Sequence, residues 1–528
     1  MTPIPGVPAI IAHARSGALD HAWRLFHDAG LDAAADDPAA LSLKGRLIKD
    51  RAAGAGPVER RRLFLEAAAA YGAAGEISGA TYPLINAASL ALLAGDAAQS
   101  RARATSLLTR LDAAGDDPDE TPYYARATQA EALLLVGQID AARQALEAAV
   151  ALAPRAWEDH ASTLRQFALI LAELGEDASW LEPLRPPRSL HFAGGMGLAA
   201  DGGAIADWLG RNRVGFGYGA LAAGADILIA EALVAAGAEL HVILPCAVAA
   251  FRRASVEPYG DDWPARFDAL LGRCDSLHVA GAACPEGDSP VAPQSLQLAA
   301  EVAMGRAVMQ ARTLATTATQ LLIVEAGADG PASPGGSVWM RQAWSDAGRP
   351  GEVIVLPPGA RGERAGESAG CVLAAVISLQ PVGPLTAELV QRLAAAVRTG
   401  QRPSTTPRWN GDSLVLAFID SKRADSAAVA LALAASLGEA IRIGVAYDLM
   451  EQSDDPFGGH ALLLGPAVEA AAAAAASAPP GAIHVTGDFA AALHAGPAAG
   501  CPRTEYVGDM PGSDLEDPVQ LHALKPVG

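Results

Sequence analysis

The stretch EPLRPPRSL at 182–190 divides this chain into regions that fold by different rules. Its three prolines cannot sit inside a helix, because each lacks a backbone N–H and its ring clashes with the preceding turn. Upstream, from residue 1 to about 184, apolar residues recur at three- and four-residue spacing between short Gly/Asp turns, which predicts helices only. Downstream, from 188, short apolar runs alternate with Gly-rich turns and apolar helical stretches, the pattern of a parallel sheet with crossover helices. The 528 residues suffice for three or four domains, at roughly 100–200 residues each. Hydrophobic residues make up 51%, enough for large cores, yet aromatics are only 5% and alanine fills much of the gap, which favours helix.

Charge and cysteine content exclude several classes. The net charge of −20 argues against broad binding to nucleic acid or an anionic membrane, which needs a basic footprint. A local phosphate pocket built from backbone N–H groups is compatible with it. Basic charge is almost all arginine, the lysines being Lys44, Lys49, Lys422 and Lys525, a usage that points to a high-GC bacterial genome. Cys246, Cys274, Cys284, Cys371 and Cys501 are scattered, odd in number and form no CxxC, so neither a disulfide framework nor a zinc site is expected. The start, MTPIPGVPAI, has no basic n-region, and AVEAAAAAAASA (467–478) is too short and too weakly apolar to span a bilayer. The expectation is a soluble, cytoplasmic protein with no membrane partner.

Within the helical region the clearest unit is ARATQAEALLLVGQIDAARQALEAAVALAP (125–154). Gly137 ends one helix, Ala141, Leu146 and Ala149 line the next, and Pro154 closes the unit. Small residues where paired helices touch, with a closing Pro, resemble a tetratricopeptide repeat; weaker echoes are GALDHAWRLF (17–26) and the stretch from Pro83 to Leu111. Such repeats stack into a solenoid whose concave face docks other proteins or further copies of the chain.

The segment RVGFGYGALAAGADILIAEALVAAGAELHVILP (213–245) reads as strand, Gly-rich loop, helix and strand, with VGFG as the first strand and the helix at 225–236. QLLIVEAGADGPASPGGSVWMRQAWSDAGRPGEVIVLPPG (320–359) repeats the order. Strict GxGxxG spacing is absent, so this is not the standard dinucleotide fingerprint. The two loops together resemble the SLOG superfamily, a group of Rossmann-like nucleotide-binding domains. The resemblance implies a nucleotide or nucleotide-like ligand at Gly215, Gly217, Gly219, Gly224, Asp226, Gly335, Gly336 and Ser337. Glu231 faces either that pocket or solvent. Glycines in such turns also serve close helix–strand packing. His191, His241 and His278 read as strand residues, and Trp263 as packing for the helix it begins.

From 368 onwards, CVLAAVISL (371–379), GDSLVLAFID (411–420), a helix at 426–437, IRIGVAYDL (441–449) and LLLGPAVEAAAAAAASAPPGAIHVTGDFAAAL (462–493) follow in order. GDSLVLAF, IRIGV and PPGAIHVTGDFAAAL resemble the class III adenylyl/guanylyl cyclase domain. That family makes a 3′,5′-cyclic nucleotide with two divalent metals held by two aspartates. The resemblance implies one of these at Asp412; the other falls at Val376, and its neighbours Ala375 and Ile377 bind no metal either. The Asn and Arg that stabilise the pentavalent phosphorus fall at Glu469 and Ala473, and the adenine-reading Lys and Asp fall at or near Arg408 and Leu462. Of six positions only Asp412 keeps its residue type.

The expected fold is therefore multidomain: a helical-repeat solenoid (1–184), a Rossmann-like α/β domain (188–360), and an α+β ferredoxin-like cyclase-type domain (368–528). The expected function is regulatory or scaffolding. Repeats dock partners or self, the central domain senses a nucleotide, and a silent cyclase-type domain supports a homodimer or larger homo-oligomer. Two alternatives stay open. One is an active divergent cyclase using Mg²⁺ or Mn²⁺, with Asp412 as metal ligand and Arg408 or Arg442 as a substitute cation. The other is a nucleotide-processing enzyme in the central domain. No cofactor is otherwise expected.

Overall fold

The computed structural model describes residues 7–15, 18–114, 120–198, 202–260, 262–281, 292–326, 334–356, 371–420, 422–454, 461–510 and 519–527. Cys284, among the cysteines considered above, lies outside them. The residues fall into two compact units, Met1–Pro186 with Thr313–Thr316, and Pro187–Arg312 with Thr317–Val527.

The first unit is helical, as its periodicity predicts. It comprises α1 (Val7–Arg15), α2 (Leu19–Asp28), α3 (Pro38–Ala53), α4 (Pro57–Ser78), α5 (Thr81–Leu93), α6 (Ala97–Ala114), α7 (Pro122–Leu135), α8 (Ile139–Leu152) and α9 (Trp157–Leu174). Pro38, Pro57 and Pro122 each open a helix, where a missing N–H costs nothing. Asp37 and Thr121 cap two of these starts by accepting from Ala39 and Tyr124. Gly79 and Gly175 end α4 and α9 in the left-handed conformation. Small residues let neighbours approach closely: a Cβ on Gly45 of α3 would lie 2.7 Å from the Tyr71 ring of α4. In the 125–154 unit Leu146 and Ala149 of α8 are buried as expected, while Ala142 takes the buried place expected for Ala141, which is only partly buried. Ser89 of α5 and Gln166 of α9 both donate to Glu131 of α7, a polar tie across three helices, and burial raises the Glu131 pKa.

The second unit holds two sheets. The first half runs β1 (Arg188–Gly194), α10 (Gly202–Arg211), β2 (Val214–Gly219), α11 (Ala225–Ala235), β3 (Glu239–Leu244), α12 (Val248–Ser255), α13 (Trp263–Leu271), β4 (Ser276–Val279), α14 (Pro293–Thr313), β5 (Ala318–Glu325), α15 (Ser337–Asp346) and β6 (Gly351–Leu356). Its sheet is wholly parallel, in the order β4-β3-β2-β1-β5-β6. VGFG lies in β2, the first strand of its segment as expected, and SLHFAG precedes it in β1, which forms the middle of the sheet. The proline stretch is also shorter as a linker than expected. Ser179–Leu184 is a 3-10 helix that contains Pro183, and β1 begins at Arg188.

The second half runs β7 (Cys371–Pro381), α16 (Ala387–Thr399), β8 (Arg408–Asn410), β9 (Ser413–Ile419), α17 (Arg423–Leu437), β10 (Ile441–Asp454), β11 (Ala461–Leu464), α18 (Pro466–Ser477), β12 (Ile483–Thr486), α19 (Gly487–Ala495), β13 (Arg503–Asp509) and β14 (Gln520–Lys525). Its strands lie in the order β13-β14-β12-β10-β7-β9-β8, with β11 hairpinned onto β10. Pairing is mostly antiparallel, β10 with β12 being parallel. Alanine makes this compact: a Cβ on Gly444 of β10 would lie 1.9 Å from the Ala471 carbonyl oxygen of α18.

The two halves share α19, in which every residue but Asp488 is buried. At its N-terminus Asp488 bonds His278 of β4 at 2.9 Å and Arg306 of α14 at 3.3 Å. At mid-helix a Cβ on Gly305 of α14 would lie 1.8 Å from the Ala491 carbonyl oxygen. At the C-terminus Arg349 donates to the carbonyls of His494, Ala495 and Gly496, satisfying groups a helix end leaves without partners.

Candidate functional site

In an open parallel sheet, ligands bind beyond the carboxyl ends of the strands, where the strand order reverses. Here the reversal lies at β1, flanked by β2 and β5. The loop after β1, GGMG at 194–197, is thus the one nearest the switch point, and sequence reasoning passed over it although its glycine content was visible. This loop is zipped onto the loop before α11. Gly197 donates to the Ala223 carbonyl, Ala225 donates to the Gly195 carbonyl, and Met196 bridges Gly224. Gly224, at φ +104°, has no room for a Cβ against Gly195 and Gly197.

The residues proposed for the ligand have distinct places in this arrangement. Packing accounts for three glycines: a Cβ on Gly215 would strike Pro187, one on Gly217 would strike Leu233, and one on Gly219 would strike the Phe192 carbonyl. Glu231 is solvated, its side chain 39% exposed. It pairs with Arg266 of α13 at 2.7 and 2.8 Å, and Arg266 lies over the Trp263 ring, 4.1 Å from its centroid. Asp226 is buried at the start of α11 and accepts from the Ala222 N–H at 3.2 Å, while its Oδ1 has no partner. Burial pushes its pKa up to about 7, although the N–H groups of Ala222 and Gly194 act in the opposite direction. Asp226 is a latch that closes its own loop.

The sign of its pH effect follows. A carboxyl whose pKa is higher in the folded chain than in the unfolded one stabilises the fold most at low pH, and this stability is lost as pH rises from about 4 through 7. Asp226→Asn keeps an acceptor for Ala222 and removes the ionisation. Thermal melts should show the variant more stable than the wild type at pH 8, with the difference shrinking as pH falls and closing near pH 4. Equal melting points at both values would refute the latch.

The three histidines lie on strands, as expected, in β1, β3 and β4. Burial lowers His191 to about 3; it stacks on Trp344 and takes a 3.1 Å contact from Gln320. His241 is lowered to about 4, first by burial, and stacks on Tyr218. His278 belongs to the α19 clamp.

The remaining loop residues, Gly335, Gly336 and Ser337, open α15. Gly335, at φ +79°, rests on the backbone of α14, where a Cβ would lie 2.6 Å from Leu296 and 2.7 Å from Gln297. Beside this loop is a cavity of ≈340 Å³. Pro293, Gln294 and Gln297 of α14 and Pro334 line one side, and Leu373, Asp420 and Arg423 of the second half line the other. The loop before α11 is not among its described walls.

In the second half, Asp412 is exposed at the β8–β9 turn beside Gly411. Val376 is fully buried and opposite Ala417, five residues past Asp412 on β9, or roughly 16 Å away at strand rise. The β7 residue nearest the turn by register is Leu379, opposite Leu414, with Gln380 and Pro381 beyond it. No register helps, since β7 reads CVLAAVISLQP and carries no carboxylate. The carboxylate that sequence reasoning overlooked is Asp448 of β10, which burial pushes up to about 7. It sits opposite Ala374, itself opposite Ile419, which places it roughly 23 Å along the strands from Asp412. These residues do not fit a pair of divalent cations. Glu469 and Ala473 lie one turn apart on the exposed face of α18, Arg408 is on β8, Leu462 is partly buried on β11, and Arg442 is on β10 opposite Gln380. Among the described residues no three His, Cys, Asp or Glu side chains gather as a metal site, and no helix is long and apolar enough to cross a membrane. Among the described residues Cys246, Cys274, Cys371 and Cys501 form no disulfide.

Comparison with known proteins matches residues 9–91 to the family TPR-S, Tetratricopeptide Repeats-Sensor. No curated protein matches. Among solved structures, the adenylyl cyclase CyaB from P. aeruginosa is 14% identical, over 30% of this chain and 96% of that one, with a TM-score of 0.26. The guanylate cyclase domain of RhGC from Catenaria anguillulae, in complex with GTP, is 14% identical over 29% and 97%, with a TM-score of 0.25. An adenylate cyclase from Trypanosoma brucei is 16% identical over 29% and 87%, also at 0.25. The chain is thus similar to a repeat-sensor family over its first helices and, over about 30% of its length, to nucleotidyl cyclase structures.

Proposed function

We propose that this chain is a regulatory or scaffold protein. Its helical repeats dock partners or further copies, its Rossmann-like half binds a nucleotide or nucleotide-like ligand in the manner the SLOG resemblance implies, and its cyclase-type half is catalytically silent. The observation that carries the last point is strand β7, which offers no carboxylate at any position. The cyclase resemblance implies two aspartates that hold two divalent metals, and Asp412 alone, exposed in a turn, is half of that set. On α18, Glu469 and Ala473 supply no cation where phosphoryl charge develops, the interaction that contributes most to such transition states. Asp412 in this reading is a turn residue, stabilising a hairpin as aspartates do.

The test is direct. The full chain incubated with ATP or GTP and Mg²⁺ or Mn²⁺ is expected to yield no cyclic nucleotide, and Asp412→Ala is expected to lower the melting temperature slightly and to leave ligand binding unchanged. Robust cyclic product that Asp412→Ala abolishes would overturn the reading.

A further inference from the structure

We infer that the cavity between the two halves of the second unit is a composite site for a phosphate-bearing ligand of mononucleotide size, with Arg423 as its charge partner. The inference rests on the nucleotide-binding reading of the Rossmann-like half and adds to it a cation supplied by the other half. Arg423 opens α17, and its side chain is 11% exposed. Its guanidinium lies over the Tyr447 ring, 4.1 Å from the centroid, and Nη2 is 3.7 Å from Glu301. Nη1 is buried and has no hydrogen-bond partner. A guanidinium carries five donors in a rigid fork, and leaving one buried without an acceptor is costly. Phosphate oxygens match that fork, as carboxylate oxygens do, and a phosphate is the group that the nucleotide reading of this half supplies.

The other walls narrow the choice. Gln294 Oε1 is buried without a partner. Gln297 donates its Nε2 to Glu301 at 3.0 Å, which leaves its carbonyl oxygen as an acceptor. Asp420 stands at the exposed edge in the left-handed conformation, φ +48°, its N–H held by the Leu373 carbonyl at 2.9 Å. A bare phosphate would meet Arg423 but be repelled by Asp420. A ligand that joins a phosphate to hydroxyl or amino donors satisfies the cation, the carboxylate and the glutamine acceptors together, and a nucleotide is such a ligand. The volume of ≈340 Å³ is at the small end of ligand pockets, about 300–1,000 Å³, which fits one nucleotide and not a dinucleotide. The fit also explains why the loop at Pro334–Gly335 is pressed onto α14: both form the wall facing Arg423.

Calorimetric titration of the full chain with AMP, GMP, cyclic AMP, cyclic GMP and inorganic phosphate tests this. At least one mononucleotide should bind, and inorganic phosphate should bind more weakly. Arg423→Gln should weaken that nucleotide by about 10- to 100-fold, the range for a charge-assisted hydrogen bond. Arg423→Lys should recover part of the loss, and Gln294→Leu should weaken binding by about 3- to 10-fold. Should Arg423→Gln not fold, Gln294→Leu decides. A nucleotide that binds equally to wild type and to the variants sinks the composite site yet leaves a nucleotide site elsewhere in the Rossmann-like half. No binding by any probe at about 1 mM removes both. Neither outcome bears on the absence of cyclase product.

Discussion

Gly305→Ala is expected to destabilise the second unit by about 1–2 kcal/mol net, although alanine is the better helix former. Two effects of opposite sign compete. In the interior of the 21-residue α14, the exchange gains about 1 kcal/mol of helix propensity. Against it, the new methyl would lie 1.8 Å from the Ala491 carbonyl oxygen, 2.3 Å from its carbon and 2.7 Å from its Cα. These are backbone atoms of a buried helix, so no side chain can rotate away, and α19 must move bodily. Moving it stretches the Asp488 bonds at one end and the Arg349 bonds at the other. Gly210→Ala in α10 is the control, because a Cβ there meets nothing within 4 Å; it is expected to gain up to about 1 kcal/mol. Urea titrations of both variants read the contrast. A Gly305→Ala protein as stable as the wild type would show that the α14–α19 approach is not what the structure gives.

Asp488→Ala should cost about 3–5 kcal/mol at neutral pH, the usual result of removing one partner from a buried ion pair. Burial by itself would raise the Asp488 pKa, but His278 and Arg306 outweigh it and hold the group at about 2. A carboxyl with a lowered folded-state pKa stabilises the fold above its unfolded value of 3.8, and this is lost as pH falls toward 2. The difference between wild type and variant is therefore full at pH 6–7 and shrinks below about pH 4. A pH-independent difference, or none, would contradict the clamp. Part of the effect comes from the charge of Asp488 in the first turn of α19, where a helix favours an anion.

Much of this fold was legible in the sequence because it rests on periodicity and punctuation. The helices before Pro183 show in the 3.6-residue pattern, and α11, β3, β5, α15 and β6 in the two strand–loop–helix repeats. The middle strand β1 was harder to see, since SLHFAG directly follows prolines that read as linker. The glycines of the first loop were misleading for a physical reason. A glycine needed for packing, such as Gly217 under Leu233, looks in sequence the same as one needed for a phosphate. The partners of Glu231 and Asp226 were hidden because they lie in Arg266 and in the loop's own backbone, which spacing does not predict. The cavity was illegible altogether: Gln294 of α14 and Arg423 of α17 are 129 positions apart and line one space only in the folded chain.

The sharing of α19 has a consequence for how the second unit behaves as a polymer. Its sequence belongs with the C-terminal strands, yet its neighbours on α14, β4 and the turn at Arg349 belong to the parallel sheet. A boundary near residue 368 therefore separates two sequence patterns without separating two cooperative bodies. Fragments cut there would each expose a strip of alanine and glycine backbone, one with the cations and the other with the anion. Heated intact, the pair should lose structure in one transition, and as separate polypeptides they should regain it only by reassociating. Such halves would be inherited together, because a replacement for either would arrive without the other's complementary groove.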